Sequence, residues 1–143
     1  MREIKFRAFL CSNQRLPNGI TLGYEKYPRG IYEVMDLNFA SEIVTLWSEK
    51  EQTSFEVSFR KVKIMQYTGI KDIHSDRVFE GDIVKIILSQ GDKTRIGEVI
   101  YYEDNACFLV ETTKGDYFTF MSEDIKSVEV LGNIYESKEL LNA

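Results

Sequence analysis

Apolar and polar residues alternate along most of this chain with a period of two, which is the pattern of β-strands with one buried face. In the opening segment Ile4, Phe6, Ala8 and Leu10 alternate with Glu3, Lys5 and Arg7. Further strands are predicted over 20–24, 31–37, 42–47, 54–59 and 62–67. The segment 31–37 also fits a short helix, because Ile31, Val34 and Met35 share a helical face. LPNG at 16–19 and YPRG at 27–30 read as turns, and Asn18-Gly19 tolerates positive φ at both positions. SEKEQTS at 48–54 is a polar loop.

The stretch TGIKDIHSDRVFEGD, 68–82, has no periodicity and is rich in Gly and Asp. It predicts an ordered connection between an N-terminal lobe, 1–67, and a C-terminal lobe, 68–143. Ile70, Ile73, Val78 and Phe79 would pin it to the core. Beyond it, strands are predicted over 82–88, 95–103, 107–112, 117–121 and 128–131. SEDI at 122–125 reads as one helical turn capped by Ser122. Five short strands with a helical turn before the last fit an SH3-like small β-barrel, which solves the edge-strand problem by closing. The tail ESKELLNA predicts a short C-terminal helix, with Ser137 as its cap and Leu140 and Leu141 docking. The expected fold is mainly β (α+β), an antiparallel N-terminal lobe packed on a C-terminal barrel.

Composition narrows the picture further. The chain has 143 residues, with 43% apolar and 13% aromatic, which suits a globular β protein. Net charge is −5, and it is unevenly spread. From residue 82 onward there are 6 basic and 12 acidic groups, whereas the first 81 residues are nearly balanced. That acidic half repels a phosphate backbone over most of its surface. Cys11 and Cys107 match no zinc spacing and read as reduced structural thiols. The N-terminus lacks the apolar core of a signal peptide, and no run approaches the roughly 20 apolar residues that cross a bilayer. A soluble protein of the cytoplasm is expected.

No phosphate loop, GxGxxG, GxSxG or HExxH is present. His74 is the only histidine, with Asp72 and Asp76 beside it. Asp72, Asp76, Glu80 and Asp82 would have to converge on one ion to serve a metal-dependent hydrolase or nuclease. The plainer reading is a turn whose carboxylates accept backbone N–H bonds. GDIVKI followed by GEV at 97–99 resembles the opening of a KOW-type barrel motif. A nucleic-acid-binding module would need Lys61, Lys63, Lys71 and Arg77 on one face. Tyr101 and Tyr102 are adjacent, as are Tyr117 and Phe118, so in a strand each pair splits between two faces. Tyr101, Tyr102 and Tyr117 are therefore candidates for a partner surface, unless they cover the other lobe.

Three segments resemble a known family. They are FRAF at 6–9, IMQYTGIKDIHSDRVFEGDIVK at 64–85 and VLGNIYESKELL at 130–141. They are similar to the YopX family of small phage and prophage proteins. Members open with K-F-R-A-W/F, carry M-Q-Y-T-G-L-K-D, a variable turn and I-Y-E-G-D-I-V, and end in G-N-I-Y-E-N-P-E-L-L. Here HSD fills the slot of an N-G turn, and SKELL replaces N-P-E-L-L. The resemblance implies a mostly β fold, a bacteriophage-associated role in the bacterial host, and no cofactor or catalytic residue to carry over. It marks Gln66, Tyr67, Gly69, Asp72, Glu80, Gly81, Asp82, Gly132, Asn133 and Tyr135 as a structural hallmark. Gly81 is expected to let the chain turn sharply and Asp82 to brace that turn. The function that fits is a non-enzymatic accessory protein that binds a protein partner or associates with itself.

Overall fold

The computed structural model describes residues 2–11, 14–15, 21–22 and 27–142. The LPNG turn predicted at 16–19 lies outside the described residues. The chain divides into two compact units, one made of Lys5–Met65 and the other of Met1–Ile4 with Gln66–Ala143.

The first unit holds β1 (Phe6–Leu10), β2 (Gln14–Arg15), β3 (Thr21–Leu22), β4 (Gly30–Asn38), β5 (Ile43–Ser48), β6 (Thr53–Ser58) and the opening residues of β7 (Val62–Lys71). A 3₁₀ turn, Phe59–Lys61, precedes β7 and is capped by Ser58 Oγ, which accepts the Arg60 N–H. The main sheet runs β6-β5-β4-β1-β7, and β2 pairs with β3 separately. Alternation is clean in β5, where Val44, Leu46 and Ser48 are buried. Val44 and Leu46 join Ala8, Leu10, Val57 and Val62 in one core. The segment at 31–37 is strand, not helix. A bulge between Val34 and Asp36 leaves Met35 as the extra residue, exposed. Ile4, read as a member of the buried row, is 67% exposed because it precedes the strand. Phe9 is buried instead, with the Arg29 guanidinium 5.1 Å from its ring centre.

The second unit contains the end of β7, then β8 (Arg77–Phe79), β9 (Asp82–Leu88), β10 (Thr94–Tyr102), β11 (Cys107–Thr112), β12 (Tyr117–Thr119) and β13 (Ile125–Asn133). The segment 68–82, expected to be an aperiodic connection, carries the end of one strand and all of another. Gly69 hid the strand by making a kink between Tyr67 and Lys71 in the β7–β8 pairing. Val78 and Phe79 are buried as expected, but Ile73 is 59% exposed. The five-stranded sheet is antiparallel in the order β12-β11-β10-β9-β13. Val84, Ile86 and Leu88 from β9 pack with Val99, Val110, Ile125 and Val128.

The expected barrel does not close. Among the described residues β12 and β13 remain the two edges of the sheet, and no ladder joins them. β12 has only three residues, and the outer edge of β13 is already taken. The Val128 carbonyl accepts the Ile73 N–H at 3.0 Å, and the Val130 N–H donates to Asp72 Oδ2 at 2.9 Å. The predicted SEDI helical turn is a hydrogen-bonded turn in which the Asp124 and Ile125 N–H groups donate to the Met121 carbonyl. The C-terminal helix is a 3₁₀ segment, Lys138–Asn142. No helix among the described residues is long and apolar enough to cross a membrane.

Gly97 shows how tightly β10 and β11 pack. A Cβ there would collide with the Glu111 carbonyl oxygen and come within 2.8 Å of Val110 Cγ1. Backbone cannot yield as a side-chain tip can. Gly97→Ala is expected to cost about 1–3 kcal/mol by overcrowding, read as a lower urea midpoint with an unchanged m-value.

Candidate functional site

The acidic segment is a set of brackets for the backbone. Asp72 Oδ1 accepts the N–H groups of His74 and Asp76, each at 2.9 Å, while Oδ2 takes Val130. The Asp72 N–H donates in turn to the Asp76 carbonyl at 2.8 Å. One carboxylate thus shapes a turn and fastens it to β13. Glu80 Oε1 accepts the Gln66 N–H at 2.8 Å, and the Gln66 carbonyl accepts the Glu80 N–H at 3.0 Å. Asp82, 1% exposed, accepts the Phe79 N–H through Oδ2 at 2.8 Å. Gly81 between them has φ +86°, donates to the Val99 carbonyl and accepts from Ile134. Its freedom at positive φ is what turns the chain from β8 into β9.

The rest of the hallmark serves the same end. Tyr67 is buried against Phe79, with ring centres 5.7 Å apart. Gly69 sits with φ +91° where β7 leaves register with β8. Asn133 Oδ1 accepts the N–H groups of Tyr135 and Glu136, starting the turn that leads to the C-terminus. Gly132 allows that segment to return, since a Cβ there would meet Ser137 Oγ at 2.7 Å and Leu140 Cδ1 at 3.2 Å. Leu140 and the hallmark glycine therefore touch.

The candidate ion ligands do not converge. Among the described residues no three of the His, Cys, Asp and Glu side chains gather as a metal would need. His74 stands at the tip of its turn, exposed, with Nε2 at 3.2 Å from Glu129 Oε2. That hydrogen bond raises its pKa, with nearby Asp72 adding to it, while burial acts the other way. Of the basic candidates, Lys71 faces Arg77 across the β7–β8 pairing. Arg77 is held by Glu3 at 2.6 Å and lies over the Tyr67 ring. Lys61 and Lys63 belong to the other unit. Cys11 and Cys107 are both free.

The tyrosines fall on two faces of the sheet, Tyr101 on one and Tyr102 with Tyr117 on the other. Tyr101 pairs with Phe108 across β10 and β11, ring centres 5.3 Å apart and nearly perpendicular, and stays 45% exposed. Tyr102 and Tyr117 meet at 5.6 Å, and Tyr117 is 51% exposed. Glu98 and Glu111 stand directly opposite each other on β10 and β11. Burial raises the Glu98 pKa, Glu111 raises it further, and Lys138 offsets part of this. Glu98 and Glu111 line a cleft with Thr112, Thr113 and Leu141.

A family model described as YopX protein matches residues 5–142. The chain belongs to the YopX family. Two solved structures are similar to this YopX-family chain over 99% of its length and 99% of theirs. One is a protein from Enterococcus faecalis, at 23% identity and TM-score 0.54. The other is the yopX protein from Bacillus subtilis, at 16% identity and TM-score 0.56. At those identities the likeness is one of fold. No curated protein matches the chain.

One feature of this YopX-family site is not legible in the sequence. The Glu98–Glu111 opposition needs the β10–β11 register, which hydrophobic alternation does not specify.

Two pH effects follow. Burial pushes the Asp72 pKa up, but the backbone N–H bonds from Val130, Asp76 and His74, with the charge of His74 behind them, hold it below the usual range. A lowered folded pKa gives stability that is present above the unfolded value of about 3.9 and lost as pH falls through the folded pKa. Asp72→Asn is expected to lower the urea midpoint near pH 7 and to flatten its acid dependence. Asp72→Ala should cost about 2–3 kcal/mol at neutral pH, since buried donors lose a charged acceptor. Glu98 has the opposite sign: its raised folded pKa makes ionisation oppose folding as pH climbs past the unfolded value. Glu98→Gln is expected to raise the melting temperature near pH 7 and leave it unchanged below about pH 4.

Proposed function

We propose that this chain is a phage- or prophage-encoded accessory protein of the host cytoplasm that works by binding a protein partner or by self-association, not by catalysis. The observation that carries this reading is exposed aromatic area on both faces of the second unit's sheet, where Tyr101 on one face and Tyr117 on the other stay about half exposed although each has a ring partner. Tyrosine supplies contact area at low entropic cost and favours interfaces. The strand order supports a binding module. The meander from β9 to β12, with β13 returning beside β9, is compatible with an open SH3-like arrangement. Fold alone does not carry function. The hallmark carboxylates are spent on backbone N–H groups, which fits a scaffold role for them.

The test is a Tyr101→Ser, Tyr117→Ser double variant. It should keep its circular dichroism spectrum and melting temperature, because neither side chain is in the core. It should lose either the concentration-dependent rise in light-scattering mass or the partner captured reproducibly from phage-infected cells. A wild-type chain that stays monomeric and captures nothing specific would sink the proposal, as would a variant that behaves like wild type.

A further inference from the structure

One face of the second unit's sheet combines exposed aromatic area with charge that the chain does not neutralise. The ladders from β9 to β12 set Ile83, Glu98, Glu111 and Tyr117 side by side in one cross-strand row. Directly opposed residues share a face, with Cβ atoms about 5 Å apart. The Tyr117 ring, 51% exposed, therefore stands beside the exposed Glu111, and half-buried Glu98 lies one strand further in. Tyr102 extends the aromatic area through its ring contact with Tyr117. The two glutamates border a cleft of about 270 Å³, whose other walls are Thr112, Thr113 and Leu141 and include no cation. Among the described residues neither Glu98 nor Glu111 has an ion-pair partner. Lys138 acts on Glu98 from beyond ion-pair distance. Lys114 acts on Asp116, whose carboxylate already accepts the Thr112 hydroxyl at 2.6 Å. Like charges directly opposed in a sheet are destabilising. Burial, and then Glu111, raise the Glu98 pKa. A cation from outside the chain relieves that opposition.

Resting on the reading of the chain as a binding module, we propose that this face receives an arginine side chain of a basic protein partner, its guanidinium stacked on the Tyr117 ring and paired with the Glu111 carboxylate. A guanidinium is planar, lies on aromatic faces and offers a carboxylate two parallel N–H groups. A ring and a carboxylate on neighbouring strands present both contacts to one such group. Lysine has the charge without the plane or the fork, so it fits less well. The cleft between Glu98 and Leu141 takes a second basic side chain, with its methylenes against the leucine. The charge of the half-chain from residue 82, 6 basic against 12 acidic groups, draws a basic partner from a distance. A second copy is a poor occupant. A two-fold dimer brings the same patch of both subunits together, which here sets carboxylates against carboxylates.

The experiment is a two-dimensional amide NMR titration of the whole chain at low salt. The probes, used separately, are the peptide acetyl-Arg-Gly-Arg-amide, its citrulline analogue and magnesium chloride. The arginine peptide should give saturable shifts at the amides of Glu98, Glu111, Thr113 and Tyr117, with a dissociation constant on the order of millimolar, as expected for so small a ligand. Citrulline keeps the shape and loses the charge, so its peptide should bind at least about tenfold more weakly. Glu111→Gln and Tyr117→Ser, both at exposed positions, should each weaken the arginine peptide by roughly threefold or more while keeping a dispersed spectrum. Asp92→Asn removes an exposed acid of the β9–β10 loop and should leave the affinity unchanged. Absence of saturable shifts, equal binding of the citrulline peptide, or unchanged affinity in folded Glu111→Gln would each overturn the proposal. So would magnesium reproducing the same shifts at the same concentration, or a light-scattering dimer that Glu111→Gln abolishes. A partner captured equally by wild type and Glu111→Gln would overturn it while leaving the binding reading in place, so the two fail separately.

Discussion

One carboxylate, that of Asp72, joins two parts of the second unit that are far apart in sequence. It closes the 72–76 turn with one oxygen and reaches the Val130 N–H, 58 residues away, with the other. With the Ile73 N–H on the Val128 carbonyl, the turn supplies β13 with the bonds a further strand would have made. An edge strand left bare invites pairing with other chains. Here a turn does the covering, and the sheet remains open because of it. The charge on Asp72 is therefore tied to architecture: ionised it accepts every bond offered, and protonated it gives up part of that capacity.

A second constraint runs through β10. Its glycine at 97 lets the β11 backbone approach closely, and its glutamate at 98 is placed opposite Glu111 by the same register. Close pairing of the strands and repulsion of two carboxylates are thus one arrangement seen twice. The repulsion acts against folding at neutral pH, relieved in part by Lys138 of the C-terminal 3₁₀ segment. That segment can lie close because Gly132 has no side chain to obstruct Ser137 and Leu140. Gly132 and the docking leucine thus pack together although they come from separate elements.

The residues marked as the hallmark lie close together in the fold. The hallmark from Gln66 to Asp82 and the closing Gly132–Tyr135 stretch meet at the Gly81 backbone, which bonds to Val99 on one side and Ile134 on the other. Polar residues there satisfy buried N–H groups that would otherwise be stranded between β8, β9 and β13. Exposed aromatic area lies elsewhere, on Tyr101 and Tyr117. That separation explains why the most recognisable residues of the chain say little about what it binds.

The sequence by itself determined the strands whose faces alternate, such as 82–88 and 107–112, together with the turn chemistry of Gly81 and Asp82 and the family of the chain. These are local signals: side-chain direction repeats every two residues, and Gly and Asp act on the backbone within a few positions. Where local signals conflicted, at 68–82, a strand broken by Gly69 was legible only as a connection. The tertiary structure alone decided that the sheet stays open, that Ile73 is exposed and that Glu98 faces Glu111. Each of these depends on which strand lies beside which and in what register. A pattern of period two is unchanged when a strand slides by two residues, so it leaves long-range partners undetermined.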